Sequence, residues 1–274
     1  MPASPPPPAK ALRREEFEVA SRRLGRRVRV TALLPPRYRL NVLARYPLLI
    51  VNDGQDFDRL ELERRLRSAY RAREVQPRVV IGVHADERRM REYGTSREPD
   101  YAGRGDLADA YRRFVVEELL PLLLGRYRLR GGRDHRAIGG FSLGGLSAFD
   151  IAWWHELKFG AVGCFSASFW WRSSPPDPAH PDADRIVVER VRHAVRAADL
   201  QYYFMVGTEE EASDRNGNGI IDVIDDTLDV IAALRDRGVR SRSLRYDCVD
   251  GGRHEPATWG PELIRWLSWL DRPH

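Results

Sequence analysis

Lysine is almost missing from this 274-residue chain: Lys10 and Lys158 stand alone, and the other 43 of the 45 basic residues are arginines. Cysteine is limited to Cys164 and Cys248, which excludes a disulfide scaffold and leaves two free thiols expected in buried strands. No apolar run approaches the roughly 20 residues that cross a bilayer. The longest, at 119–124, is interrupted by Pro121. Charge of one sign is not gathered into blocks either, because 40 acidic residues are interleaved with the basic ones and the net charge is only +5. A nucleic-acid partner would call for a basic stripe or a recognisable module, and neither is present. No nucleic-acid or membrane partner is therefore expected, and the oligomeric state stays open.

The amino terminus carries four consecutive prolines, Pro5, Pro6, Pro7 and Pro8, without the charged, apolar and small-residue order of a secretory leader. Residues 1–14 are expected to form a disordered tail, residues 15–274 a single domain, and a cytoplasmic location is expected. Within the domain, segments 17–20 and 28–34 alternate Arg with Val or Thr around Gly25, the period-2 pattern of strands with one wet face. From 47 onward the pattern changes to short apolar runs at 47–51, 78–83, 137–140, 161–165 and 202–206, with a last strand at 240–248. Helical segments lie between them, the clearest at 107–124, where Leu107, Tyr111, Phe114, Val115, Leu119 and Leu122 share one face. Buried strands alternating with amphipathic helices specify an α/β fold: a mainly parallel central sheet, antiparallel N-terminal strands and helices on both faces. Two connections, 85–106 and 170–185, are long, and in such folds long loops surround the site.

The sharpest local signal is Gly140-Phe141-Ser142-Leu143-Gly144-Gly145, between the strand at 137–140 and a helix at 146–153. A strand that enters a helix through one tight turn forces its central residue into a strained backbone, and glycines two before and two after leave room for it. Ser142 then stands clear of the sheet beside the helix N-terminus, placed to act as a nucleophile. A serine hydroxyl needs a base oriented by an acid. His254 is the one histidine after the last strand apart from the terminal His274, and it precedes the expected final helix at 261–270. The acid is expected at the end of 202–206, where Glu209, Glu210 and Glu211 are adjacent; Glu210 is favoured, with the other two in reserve.

Together with 52–57, 89–93, 101–105, 118–121 and 251–254, this elbow resembles the putative-esterase family of α/β-hydrolases, which includes enterochelin esterases, feruloyl esterases, esterase D and the mycolyltransferases. The resemblance runs over about residues 17–271. It implies an α/β-hydrolase fold without a large lid domain and a serine esterase with Glu210 at the acid position. It also points to Gln55, beside the small Gly54, as the partner of Leu143 in an oxyanion hole of two backbone N–H groups.

Directly after the three glutamates, residues 214–225 match the twelve-position calcium loop. Side-chain oxygens fall on Asp214, Asn216, Asn218, Asp222 and Asp225, glycine on Gly219, and a carbonyl donor on Ile220. Asp225 replaces the longer Glu of the usual loop, with Asp226 next to it as a stand-in. A structural Ca²⁺ is expected here, pinning the loop that presents the acid; the alternative is a polar loop held by its own turns. Trp170, Trp171 and Trp259 are placed to border a substrate cleft, and Arg89, Arg97, Arg104 and Arg172 lie in the two long loops, where an anionic substrate could be met. Trp170, Trp171 and Arg104 are the chosen substrate contacts. The expected activity is hydrolysis of an aryl or siderophore-like ester through an acyl-serine. The alternatives are acyl transfer to an alcohol and a non-catalytic, calcium-stabilised binding module.

Overall fold

Alternating wet and dry residues build the first two strands, β1 (Arg13–Ser21) and β2 (Arg26–Leu34), an antiparallel pair turning at Gly25 with φ 63°. The structure, a computed structural model, describes residues 12–272. The expected tail therefore ends earlier than 14, since Arg13 and Arg14 already pair with Leu34 and Leu33 and Leu12 is buried. Residues 1–11 of that expectation lie outside the described residues.

The apolar runs become β3 (Leu48–Asn52), β4 (Val79–Val83), β5 (Arg136–Phe141), β6 (Ala161–Phe165), β7 (Gln201–Gly207) and β8 (Leu244–Val249). One eight-stranded sheet results, in the order β1-β2-β4-β3-β5-β6-β7-β8. β2 meets β4 antiparallel, and every pairing from β4 to β8 is parallel. β3 and β4 are buried throughout, as strands covered on both faces must be.

One face is covered by α1 (Leu62–Ala72) and the carboxy-terminal α8 (Pro256–Leu270). The short α2 (Arg89–Glu92) lies in the first long loop. The other face carries α3 (Ala108–Arg113), which continues through a π-helical stretch (Phe114–Leu119) into α4 (Leu120–Arg126), together with α5 (Leu143–Trp154), α6 (Ile186–His193) and α7 (Asp222–Asp236). The single helix expected at 107–124 is thus one rod with a widened turn. Leu120 N–H reaches back to Val115 O, and Pro121, which has no N–H to give, follows directly.

α8 starts five residues before the expected 261, because Pro256 occupies its first turn while Pro261 sits inside it. It rests on the sheet through Trp266, which is wholly buried over Gly139 and Gly163; a Cβ at either would come within 2.8 Å of the indole. Both cysteines are free, but only Cys164 is buried. Cys248 is exposed because β8 is an edge strand, correcting the expectation of two core thiols.

Candidate active site

The carboxyl ends of β3, β5, β6, β7 and β8 meet along one edge of the sheet, where open α/β sheets hold their ligands. Ser142 is the hinge between β5 and α5, with φ 53° and ψ −126°, a conformation that costs a residue with a side chain of order 1–3 kcal/mol. The surrounding glycines make it attainable. A Cβ on Gly140 would overlap the Gly144 carbonyl oxygen, and one on Gly144 would stand 2.6 Å from Asp53 Oδ2. Ser142 N–H is tied to Phe165 O at 2.9 Å, and the first N–H groups of α5, Leu143 among them, have no acceptor within their own helix.

The acid turn after β7 and the histidine turn after β8 are stitched together. Thr208 N–H bonds Val249 O (3.0 Å), Glu209 N–H bonds Gly252 O (2.8 Å), and Gly207 packs so closely on Gly252 that a Cβ would overlap its backbone. This registers Glu210 opposite His254, with Oε2 2.8 Å from Nδ1. The Glu210 carboxylate is 1% exposed and the imidazole 40% exposed, so the pair has a buried inner end and an open outer one. The three adjacent glutamates, which spacing leaves equivalent, are separated by their partners. Glu209 pairs outward with Arg253, and Glu211 accepts Val223 N–H at 2.7 Å, while burial raises its carboxyl above the usual range. Trp259 stands edge-on to the His254 ring, centroids 5.0 Å apart.

The loop after β3 abuts the elbow. Asn52 Nδ2 donates to Gly144 O at 2.7 Å and Asn52 Oδ1 accepts the Tyr111 hydroxyl at 2.6 Å. Asp53, at φ 60°, is clamped by two bonds from Arg89, Nε to Oδ1 at 2.7 Å and Nη2 to Oδ2 at 2.8 Å. The Gln55 side chain bridges Asp53 and Ala85 N–H, which fixes the stretch carrying its backbone N–H. Asn52, Asp53 and Arg89 hold this corner in place, and sequence reading gave none of them that part. The buried polar residue at the end of an apolar strand, Asn52, was the available clue.

Ser142, Glu210 and His254 line one cavity of about 320 Å³, with Ser166, Ala167, Ser168, Trp170, Glu211 and Val223; Leu143 and Gln55 are not among its lining residues. Among the described residues no hydrogen bond joins the Ser142 hydroxyl to His254, an approach that commonly tightens only with substrate bound. Of the three expected substrate contacts, only Trp170 reaches the cavity. Trp171 is fully buried against Gly94 and Gly105, and Arg104 is committed to the buried Asp100 and stacks behind Trp170, 5.0 Å from its ring. The other loop arginines are also occupied: Arg89 by Asp53, Arg97 by the Trp154 ring at 3.6 Å, and Arg172 by the carbonyls of Trp170 and Pro181. The anionic-substrate expectation therefore loses its cations to internal partners. A larger cleft, about 620 Å³, opens at the opposite end of the strands among Arg78, Arg133 and Arg136, away from the elbow, the acid and the histidine.

The model of the family described as Putative esterase matches residues 21–270. The chain belongs to that family. The protein is a carboxylic-ester hydrolase. Among curated relatives of this esterase is YbbA of Bacillus subtilis, 22% identical over 246 residues, covering 88% of this chain and 92% of that one. Among solved structures, a ferulic acid esterase superposes with TM-score 0.73 at 20% identity, covering 95% of this chain and 98% of that one. The enterobactin esterase FES from Shigella flexneri, with 2,3-Di-hydroxy-N-benzoyl-glycine present, superposes with TM-score 0.73 at 22% identity. The match takes in 94% of the esterase but 59% of FES. At these identities the structural likeness establishes the α/β-hydrolase fold.

In the esterase, residues 214–221 form a loop that runs into the first turn of α7 at 222–225, and the expected calcium ligands turn onto donors of the same segment. Asp214 accepts Asn218 N–H (3.1 Å) and Gly219 N–H (2.9 Å), Asn216 accepts Asn218 N–H, and Asn218 accepts Ile220 N–H (2.8 Å). Asp222 accepts Arg215 N–H, and Asp225 accepts Asn216 Nδ2 (2.8 Å). Asp226, the expected stand-in, is instead buried between Arg185 and Arg215, each 2.6 Å away. Among the described residues no group of three or more His, Cys, Asp or Glu is arranged to hold a metal ion. No described helix is long and apolar enough to cross a membrane.

Proposed function

We propose that the esterase works through an acyl-serine formed on Ser142, with His254 as base and Glu210 as the acid that orients it. The observation that carries this is the Glu210 Oε2 to His254 Nδ1 contact of 2.8 Å at the wall of the cavity that Ser142 enters. An ionised carboxylate only accepts, so the proton of a neutral His254 resides on Nδ1 and Nε2 is left free to take the serine proton. Ser142 Oγ attacks the ester carbonyl, His254 passes the proton to the departing alcohol, and water repeats the sequence in reverse to release the acid. Backbone N–H groups of Leu143 and Gln55 would hold the developing oxyanion.

The acyl group is proposed to be aromatic, with a siderophore-like aryl ester as one form. Trp170 offers a flat wall, Ser168 and Glu211 offer polar contacts, and two structural neighbours are a ferulic acid esterase and an enterobactin esterase with 2,3-Di-hydroxy-N-benzoyl-glycine present. Ser142→Ala should lower kcat for a p-nitrophenyl aryl ester by roughly 10³-fold or more and abolish labelling by a fluorophosphonate. Labelling absent from the wild type would favour a non-catalytic module, and product partitioning toward an added alcohol would favour acyl transfer. A structural Ca²⁺ at Asp214, Asn216, Asn218, Ile220, Asp222 and Asp225 is proposed separately. It rests on the twelve-position sequence pattern and is tested by melting, as described below.

A further inference from the structure

The Glu210 carboxylate can orient His254 only if it is itself held. Its Oε2 faces His254, and its Oε1 receives two donors, Gly207 N–H at 2.6 Å and the Ser166 hydroxyl at 2.5 Å. The backbone donor comes with the turn, but the hydroxyl can rotate and has one proton to give. Trp259 settles its direction. The indole Nε1 lies 2.8 Å from Ser166 Oγ, and an indole N–H only donates. The hydroxyl must therefore accept from Trp259, which turns its own proton toward Glu210.

The backbone at Ser166 adds a second observation. Ser166 directly follows β6 at φ 47°, a left-handed conformation that glycine adopts freely and a residue with a Cβ adopts at a cost. It is held there with its N–H on Met205 O at 2.7 Å, and its hydroxyl is the group that links the β6 end to the acid turn of β7 and to α8.

Resting on the triad reading above, we propose that Ser166, keyed by Trp259, positions the Glu210 carboxylate against His254, so that turnover depends on a four-member chain from Trp259 through Ser166 and Glu210 to His254. Ser166 touches no reacting atom; it is a positioning residue.

The test measures kcat, KM and melting temperature for Ser166→Ala, Ser166→Gly, Trp259→Phe and the Ser166→Ala, Trp259→Phe double variant, with fluorophosphonate labelling of the wild type alongside. Loss of a hydrogen bond to a buried carboxylate predicts a fall in kcat of about 10- to 100-fold for either Ser166 variant, with KM within about twofold. Ser166→Gly should melt no lower than Ser166→Ala, because it relieves the left-handed backbone, and still be slow; a merely structural role would let its activity follow its stability. Trp259→Phe removes the N–H and trims the indole to a phenyl that still offers an aromatic face to Phe141 and His254, so it should cost less than Ser166→Ala, and the double variant should be no slower than Ser166→Ala alone. A Ser166→Gly enzyme with wild-type kcat, or losses that multiply in the double variant, overturns the proposal while leaving the triad standing. A wild type inert to the probe overturns both.

Discussion

His84 shows what burial does to a single side chain beside a catalytic edge. It follows β4, accepts Arg29 Nε on Nδ1 at 2.9 Å and meets the Thr31 hydroxyl at 2.8 Å. Burial, and then the nearby Arg29 charge, pushes its pKa down to about 4. The unfolded chain titrates it near 6.5, so between about 6.5 and 4 the unfolded state binds the extra proton. The stability that neutral His84 contributes is therefore fully present above pH 6.5 and lost as pH falls toward 4. Melting temperatures across that range should drop more steeply for the wild type than for His84→Gln; equal slopes would remove His84 from the account. The three glutamates at 209–211 teach the complementary lesson. Their chemistry was legible, but which one faces His254 depends on how Gly207 lies against Gly252, and no spacing along the chain encodes that.

At the scale of elements, the acid and histidine turns behave as one piece because two glycines let their backbones touch. Gly207→Ala would force them apart, and a displacement of about 1 Å at a catalytic group can cost on the order of 100-fold. That loss is expected in kcat, with Ser142 still labelled, though slowly, by a fluorophosphonate; an alanine enzyme of undiminished kcat would show that the contact is incidental. The strands were legible because burial on both faces leaves an unbroken apolar run, and 161–165 agrees with β6 residue for residue. Helix ends were less so. Pro261 looks like a start when read alone, although Pro256 had already opened α8, and the π-helical stretch ahead of Pro121 depends on backbone bonds that side-chain periodicity does not report.

For the whole molecule, the order of elements was enough to specify an α/β fold, since parallel strands with crossovers leave few other arrangements, and the resemblance carried by the elbow together with its companion segments supplied the α/β-hydrolase family. What composition hid was the use of the arginines. Arg89, Arg104 and Arg185 are not spare charge but partners of Asp53, Asp100 and Asp226, three carboxylates that are buried and would be costly alone. The calcium proposal belongs to this scale as well. Residues 214–225 run from the acid turn into the first turn of α7, so an ion that binds only the folded chain should raise the melting temperature, by an amount that grows with its concentration. Millimolar Ca²⁺ is expected to raise it and EDTA to reverse the rise; melting that ignores both would leave a loop held by its own turns.

β8 is paired on one side only, and of its six residues Leu244 alone is buried, whereas neighbouring β7 is buried almost throughout. Edge strands with few buried contacts are where native proteins fray first, at a fraction of the free energy of global unfolding. His254 is carried on the turn that leaves this strand, while Ser142 stands on the sheet's deep interior. The proposed base and the proposed nucleophile are thus mounted on strands of very different burial, for which different opening energies are expected. On the proposed triad, local opening of β8 is expected to carry His254 away while Ser142 keeps its place, a silent state reached without unfolding the core, and its sign would be faster backbone hydrogen exchange at 244–249 than at 136–141.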